Sequence, residues 1–177
     1  EYGGGLHLNL GNPFINNCTI RYHDGIGIDI DSYDSSNSSA TVKVTNSTIS
    51  YNKKGINIYG RGTYIINNNE ISYNSGSNAD GPDNLSYGAG IRFSVGDQLT
   101  ISNNVIKYNT VGYMGGGVFG QSSGSSVYDN VFIGNRAVYA GGIYARGGSI
   151  VNNIFYDNYV SEFGGAIYIS GEDVDSV

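Results

Sequence analysis

The stretch Leu99-Thr100-Ile101-Ser102-Asn103-Asn104-Val105-Ile106-Lys107-Tyr108-Asn109, followed by Gly115-Gly116-Gly117-Val118-Phe119, decides the fold. It reads as a short strand, an Asn-bearing corner, a second short strand closed by Asn, and then glycines opening a third strand. Each strand alternates apolar and polar residues with period two and is too short for a helix. One such phrase describes one turn of a coil.

The phrase recurs. Aligning the apolar residue three before each closing Asn gives Ile20, Ile49, Ile71, Ile106, Phe132 and Phe155. Five of these are followed by Asn52, Asn74, Asn109, Asn135 and Asn158, and the first by His23. Five residues upstream stand Ile15, Val44, Ile66, Ile101, Val127 and Ile150, and two upstream stand Cys18, Ser47, Asn69, Asn104, Asn130 and Asn153. Between copies comes the third strand, as in Gly55-Ile56-Asn57-Ile58, Gly90-Ile91-Arg92-Phe93 and Ala166-Ile167-Tyr168-Ile169.

Repeats of 22 to 35 residues with no helical segment exclude most architectures. The Asn-Gly hairpins of an antiparallel propeller are missing between these strands. The expectation is therefore an all-β, single-stranded parallel β-helix of about six coils and a terminal half coil, with three short strands per coil. Parallel crossovers favour a right-handed coil. The corner is assigned to Asn69, Asn104, Asn130 and Asn153, because a tight bend needs positive φ and Asn tolerates it. Stacked in successive coils, these four form a side-chain ladder. Asn52, Asn74, Asn109, Asn135 and Asn158 mark the exit from the preceding strand.

Composition narrows the functional classes. With 9 Lys and Arg against 15 Asp and Glu, the net charge of −6 leaves no basic patch for nucleic acid or an anionic membrane surface. A single Cys18 rules out an internal disulfide framework and a Cys-based zinc site. No apolar run is long enough to span a membrane as a helix. Abundant Gly, Asn, Ser and Tyr point to an extracellular or cell-surface setting. The chain starts at Glu1 without Met, and residues 1–177 are read as one β-helix domain that is a processed or excised part of a longer chain.

In the last coils, Gly164-Gly165-Ala166-Ile167 is a GGAI tetrapeptide, and Phe132 to Asn135 and Phe155 to Asn158 are FxxN motifs. These resemble the repeats of chlamydial polymorphic outer membrane proteins and of related β-helix adhesins and surface proteins of bacteria and archaea. The resemblance spans the chain as repeats and implies a pectate-lyase-like solenoid displayed on a cell surface, with an adhesive or structural role. It carries no catalytic motif.

Several side chains are candidates for a site. Asp29, Asp31, Arg61 and Arg92 fall on the outward side of the glycine-led strands, where an acid and arginine cluster would act on polysaccharide; surface ion pairing is the competing assignment, and a noncatalytic protein is expected. Asp29, Asp31 and Asp34, with Asp80 and Asp83, are weak calcium candidates, since the EF-hand spacing fails at its glycine and final glutamate positions. No other cofactor is expected. Phe119, Tyr144 and Tyr168 form an outward aromatic stripe, read as a contact with another copy or with glycan rather than as a surface covered by a loop.

Tyr22, Tyr51, Tyr73 and Tyr108 form a further column at a corner, where stacking stiffens the coil. Two insertions, 31–41 and 75–89, are rich in Ser, Asn, Asp and Gly and project as loops. Sequons stand at Asn17, Asn37, Asn46 and Asn84, about as many as chance predicts from the abundance of Asn, Ser and Thr; the loop positions Asn37 and Asn84 are the favoured glycosylation sites.

The leading expectation is a structural solenoid that joins copies of itself, end to end or laterally, into a fibre, sheath or surface layer. An adhesin or glycan-binding passenger is the first alternative. A polysaccharide lyase or hydrolase is the second.

Overall fold

A computed structural model describes residues 4–9, 11–32, 40–76, 87–95 and 98–171. Every strand pairing it contains is parallel, and the strands gather into three sheets running the length of a solenoid and a shorter fourth. Sheet A stacks seven strands in chain order: Leu6–Asn9, Ile26–Ser32, Lys54–Gly60, Ile91–Val95, Val118–Gln121, Ile143–Arg146 and Ile167–Ile169. Sheets B and C hold six strands each, represented by Gln98–Ser102 and Val105–Lys107. Seven strands against six and six make six full coils and a terminal strand.

The fourth sheet, D, goes beyond the three strands read from each repeat. It stacks Ser75–Gly76, Thr110–Val111, Arg136–Ala137 and Tyr159–Val160. Two-residue strands carry too little alternation to register as a period. Their inward side chains make a small side lobe, in which Ala89, Val111 and Ala137 pack together.

The core follows the sequence pattern. Ile49, Ile71, Ile106 and Phe132 are completely buried, Ile20 is nearly so, and Phe155 packs on the core at its end. Ile28, Ile56, Ile91, Val118 and Ile143 face them from sheet A, and Val44, Ile66, Ile101 and Val127 from sheet B. At roughly 1.5–3 kcal/mol for each buried side chain, this continuous interior drives the stacking of coils. One exchange in volume keeps it filled: Phe93 spreads its ring over Gly120 of the next coil, where a Cβ would lie 1.9 Å from the ring.

Positive φ falls one residue before the predicted corner. Asn17, Asn46, Asn68, Asn103, Asp129 and Asn152 adopt φ of 49–56°, and the predicted corner residues Asn69, Asn104, Asn130 and Asn153 do not. The bend turns on the outward, exposed Asx, which leaves the following residue to point inward. Asn69 Nδ2 donates to Asn104 Oδ1 at 3.0 Å, Asn104 to Asn130 at 2.9 Å, and Asn130 to Asn153 at 3.0 Å. Each Oδ1 also accepts the main-chain N–H of the preceding coil's Asn, and each Nδ2 donates to a sheet B carbonyl.

The strand-exit column is a second ladder of the same kind. Asn74 Nδ2 donates to Asn109 Oδ1 at 2.9 Å, Asn109 to Asn135 at 3.0 Å and Asn135 to Asn158 at 2.9 Å, with Asn52 joined to Asn74 at 3.2 Å. Both ladders satisfy buried main-chain groups that the corners leave outside the sheets.

The predicted insertions narrow in the structure. Asp31, Ser32 and Thr41 belong to strands, as do Ser75 and Gly76, while Tyr87 and Ala89 pack against the solenoid. Asp34, Asn37, Asp80, Asp83 and Asn84 lie outside the described residues.

Candidate functional site

The outward face of sheet A divides into a polar half and an aromatic half. Register places His7, Asp29, Asn57, Arg92, Phe119, Tyr144 and Tyr168 in one file. Asn9, Asp31, Tyr59, Ser94, Gln121 and Arg146 form the file beside it.

In the polar half, Asp29 is held on both oxygens. His7 Nδ1 approaches Oδ2 at 3.1 Å, and Asn57 Nδ2 donates to Oδ1 at 2.8 Å. Arg92 Nη1 then donates to Asn57 Oδ1 at 3.3 Å. Asp29 and Arg92 are thus brought into one file with Asn57 between them. Asp31 stands in the neighbouring file. Arg61 leaves the cluster: its strand ends at Gly60, and Arg61 is an exposed residue of the turn toward sheet B. Among the described residues, no three His, Cys, Asp or Glu side chains gather as a metal site.

Lys54 enters sheet A beside this row and is buried. Burial, with help from the Arg92 charge and against the pull of Asp29, lowers its pKa from 10.5 to about 7. Burial also lowers the Arg92 pKa, opposed by Tyr59, Tyr87 and Asp29.

The aromatic half corrects an expectation. Phe119 and Tyr144 are 5% and 2% exposed, so the stripe is not an open contact surface. Described residues just before the sheet A strands, Tyr87 and Met114, pack over it. Gly88, Gly115, Ala140 and Gly164 occupy the same bend in successive coils, all with φ of 57–77°. Just before the bend, Tyr87, Met114 and Tyr139 pair as isolated parallel bridges. Tyr87 covers Phe119 at a ring separation of 4.8 Å and meets Tyr113 edge-on at 5.6 Å. Beneath them Phe119 and Tyr144 stack at 4.9 Å, and Tyr144 and Tyr168 at 5.6 Å.

The cover leaves a slot of about 400 Å³ between itself and the sheet. Phe119 and Tyr144 line it from sheet A, Tyr87, Tyr113 and Met114 from the covering segments, and Gln121 and the two arginines Arg92 and Arg146 complete it. Arg146 Nε donates to the Tyr144 hydroxyl at 3.3 Å. Arg92 keeps a buried Nε–H with no hydrogen-bond partner. Such donors are rare in folded proteins and costly to leave unpaired.

Six coils of parallel strands around an aliphatic core, joined by Asn ladders, agree with the family comparison: a model described as right handed beta helix region matches residues 34–176. The chain belongs to the right-handed β-helix family. No curated protein and no solved structure matches it. The β-helix fixes the scaffold and the hand of its coil; its chemistry must be argued from the side chains of this chain.

Two of those side chains carry little signal in the sequence. Arg146 shares an outward file with Asp31 and Tyr59 but stands in no motif. Tyr87 sits at the edge of the second insertion, where loop composition masks a covering role. Of the sequons, Asn17 and Asn46 are exposed corner residues, and Asn46 donates to Asn16 Oδ1 at 2.8 Å and accepts from Asn68.

Proposed function

We propose that this β-helix is a noncatalytic, extracellular glycan-binding module of a surface protein, and that the slot on sheet A takes an acidic sugar residue. The observation that carries this reading is the pair of arginines, Arg92 and Arg146, in a slot walled by Tyr87, Tyr113, Phe119 and Tyr144, with the Arg92 Nε–H left without a partner. Aromatic walls suit the apolar faces of a sugar, and two guanidinium groups suit a carboxylate or sulfate. A binding role is favoured over catalysis because Asp29, the carboxylate nearest Arg92 in the file, is engaged on both oxygens. It is favoured over lateral assembly because the aromatic stripe invoked for that contact is covered by the chain's own Tyr87 and Tyr113.

The test is calorimetric titration with uronic-acid oligosaccharides and with neutral oligosaccharides of matched length. The acidic series should bind, and the neutral series should bind at least tenfold more weakly. Arg146→Gln and Arg92→Gln, each verified as folded by circular dichroism, should each weaken acidic binding about tenfold, in line with the loss of one charge-assisted hydrogen bond. Equal affinity for both series, or indifference to both substitutions, would sink the proposal. Release of unsaturated or reducing ends during the titration would replace it with the enzymatic reading.

A further inference from the structure

Tyr22, Tyr51, Tyr73 and Tyr108 close the sheet C strands of four successive coils. Their rings stack at centroid distances of 5.1, 5.0 and 5.1 Å, with interplanar angles of 19°, 5° and 24°. All four are 41–68% exposed. The Arg21 guanidinium lies over the Tyr22 ring at 5.4 Å and closes one end of the pile. At the other end the Tyr108 ring rests over Gly134, where a Cβ would lie 2.6 Å from ring carbons.

The backbone at this turn does not call for tyrosine. All four tyrosines have φ of 54–64°, a conformation that costs free energy for any residue with a bulky side chain. In the last two coils the same turn is made by Gly134 and Asp157, with φ of 59° and 53°. The fold therefore tolerates residues suited to positive φ here, and places four phenols there instead. Stacking offsets part of that cost. The outcome is a row of solvent-facing phenols held ring against ring in one chain.

We infer that this column is a site of oxidative cross-linking, at which a peroxidase-type oxidant joins neighbouring coils through dityrosine. Each of two adjacent phenols gives up one electron and one proton, producing two tyrosyl radicals. Their ortho carbons form a carbon–carbon bond, and the two ring hydrogens shift to the oxygens as both rings become aromatic again. Two hydrogen atoms leave in total, and hydrogen peroxide, acting through the peroxidase, is reduced to two waters. Radical pairs of this kind couple at the rate at which they meet, and here they are held in contact. The possible links are Tyr22 to Tyr51, Tyr51 to Tyr73 and Tyr73 to Tyr108. None touches the slot on sheet A, so this proposal stands apart from the glycan reading.

The experiment treats the whole chain, at low concentration, with a haem peroxidase and limiting peroxide. Dityrosine is followed by its fluorescence, and linked peptides are mapped by mass spectrometry. Links should form within one chain, each with the loss of two hydrogen atoms, between neighbours in the column. Tyr156, at 69% exposure, is more open than any of the four and has no stacked tyrosine partner among the described residues, so accessibility alone would favour links between chains through it. The variant Tyr51→Phe with Tyr108→Phe keeps every ring in the pile but leaves no two tyrosines adjacent. It should keep the wild-type circular dichroism and lose at least nine-tenths of the intramolecular dityrosine. Tyr73→Phe should retain only the Tyr22 to Tyr51 link. Links mainly through Tyr156 or between chains, or undiminished yield from the double variant, would overturn the inference.

Discussion

Asn104→Asp tests the ladder by exchanging one amide for a carboxyl at a position that is 1% exposed. Asn104 Oδ1 accepts from Asn69 N at 2.9 Å and from Asn69 Nδ2 at 3.0 Å, and a carboxylate can keep both. Asn104 Nδ2 donates to Ile66 O and Asn130 Oδ1, each at 2.9 Å, and a carboxylate can donate to neither. Two lost bonds cost about 2 kcal/mol at about 1 kcal/mol each. Confronting a buried anion with two carbonyl oxygens adds roughly 3 kcal/mol. The variant should therefore be about 5 kcal/mol less stable than wild type at neutral pH.

Protonation of the introduced carboxyl restores one donor and removes the charge. Its folded pKa lies above the unfolded value of about 3.9, so the variant regains stability on the acid side and loses it as pH rises through the folded pKa. Removing the charge and restoring one bond together change the balance by about 4 kcal/mol, which at about 1.4 kcal/mol per unit puts that folded pKa at about 7. Urea midpoints of variant and wild type, compared from pH 4 to pH 8, supply the assay, because the difference cancels titrations the two proteins share. Asn103→Asp next door is the control: Asn103 is exposed with φ of 55°, and Asp129 fills the same turn in the next coil, so its effect should stay within about 0.5 kcal/mol. A pH-independent deficit in Asn104→Asp, or one no larger than the control's, refutes the ladder as a buried donor–acceptor chain.

Gly120→Ala should cost about 1–3 kcal/mol by overpacking, since the new methyl would meet three Phe93 ring carbons at 1.9–2.5 Å; adding Phe93→Leu should recover part of that loss in the same urea titration, and simple additivity would count against the contact. Lys54, with its pKa lowered from 10.5 to about 7, should make the protein gain stability as pH rises across that interval, because the unfolded chain there binds the proton that the folded chain has released. Lys54→Met should flatten that rise relative to wild type, and thermal midpoints at pH 7 and pH 9 that move in parallel for both proteins would contradict the assignment.

The inward file from Ile20 to Phe155 was legible because a solenoid places each inward residue at a fixed offset from its corner, whatever the length of the connecting loop. The turn residue was equally legible and was placed one position late. Positions 17, 46, 68, 103, 129 and 152 are all Asn or Asp, the residues that tolerate positive φ, whereas the assigned column begins with Cys18 and Ser47. Where Asn68-Asn69 and Asn103-Asn104 stand as pairs, composition alone does not separate turn from ladder; the first two coils do. The slot had no such signal. Alternation reports that Phe119 and Tyr144 point away from the core, but burial also depends on what lies above them. That cover comes from segments redirected by Gly88, Gly115, Ala140 and Gly164, at bends that resemble ordinary loop glycines in sequence.

The ladders also bear on end-to-end assembly. They are polar: within the stack, each Asn hands its main-chain N–H and its Nδ2 to the Oδ1 of the following coil, so a following coil must present a carboxamide or comparable acceptor at both columns. Asn153 and Asn158 are the last acceptors of the two columns, taking the Nδ2 of Asn130 and Asn135. A second copy stacked in register on that end would meet them with its first coil, whose residues in those columns are Cys18 and His23. A thiol is a weak acceptor, and an imidazole has one acceptor nitrogen at most. The junction would lose the paired bonds that every internal junction from Asn69 onward makes on both columns. Extending both ladders past Asn153 and Asn158 therefore takes a coil with an acceptor in each column, and Cys18 and His23 are poorer acceptors there than Asn.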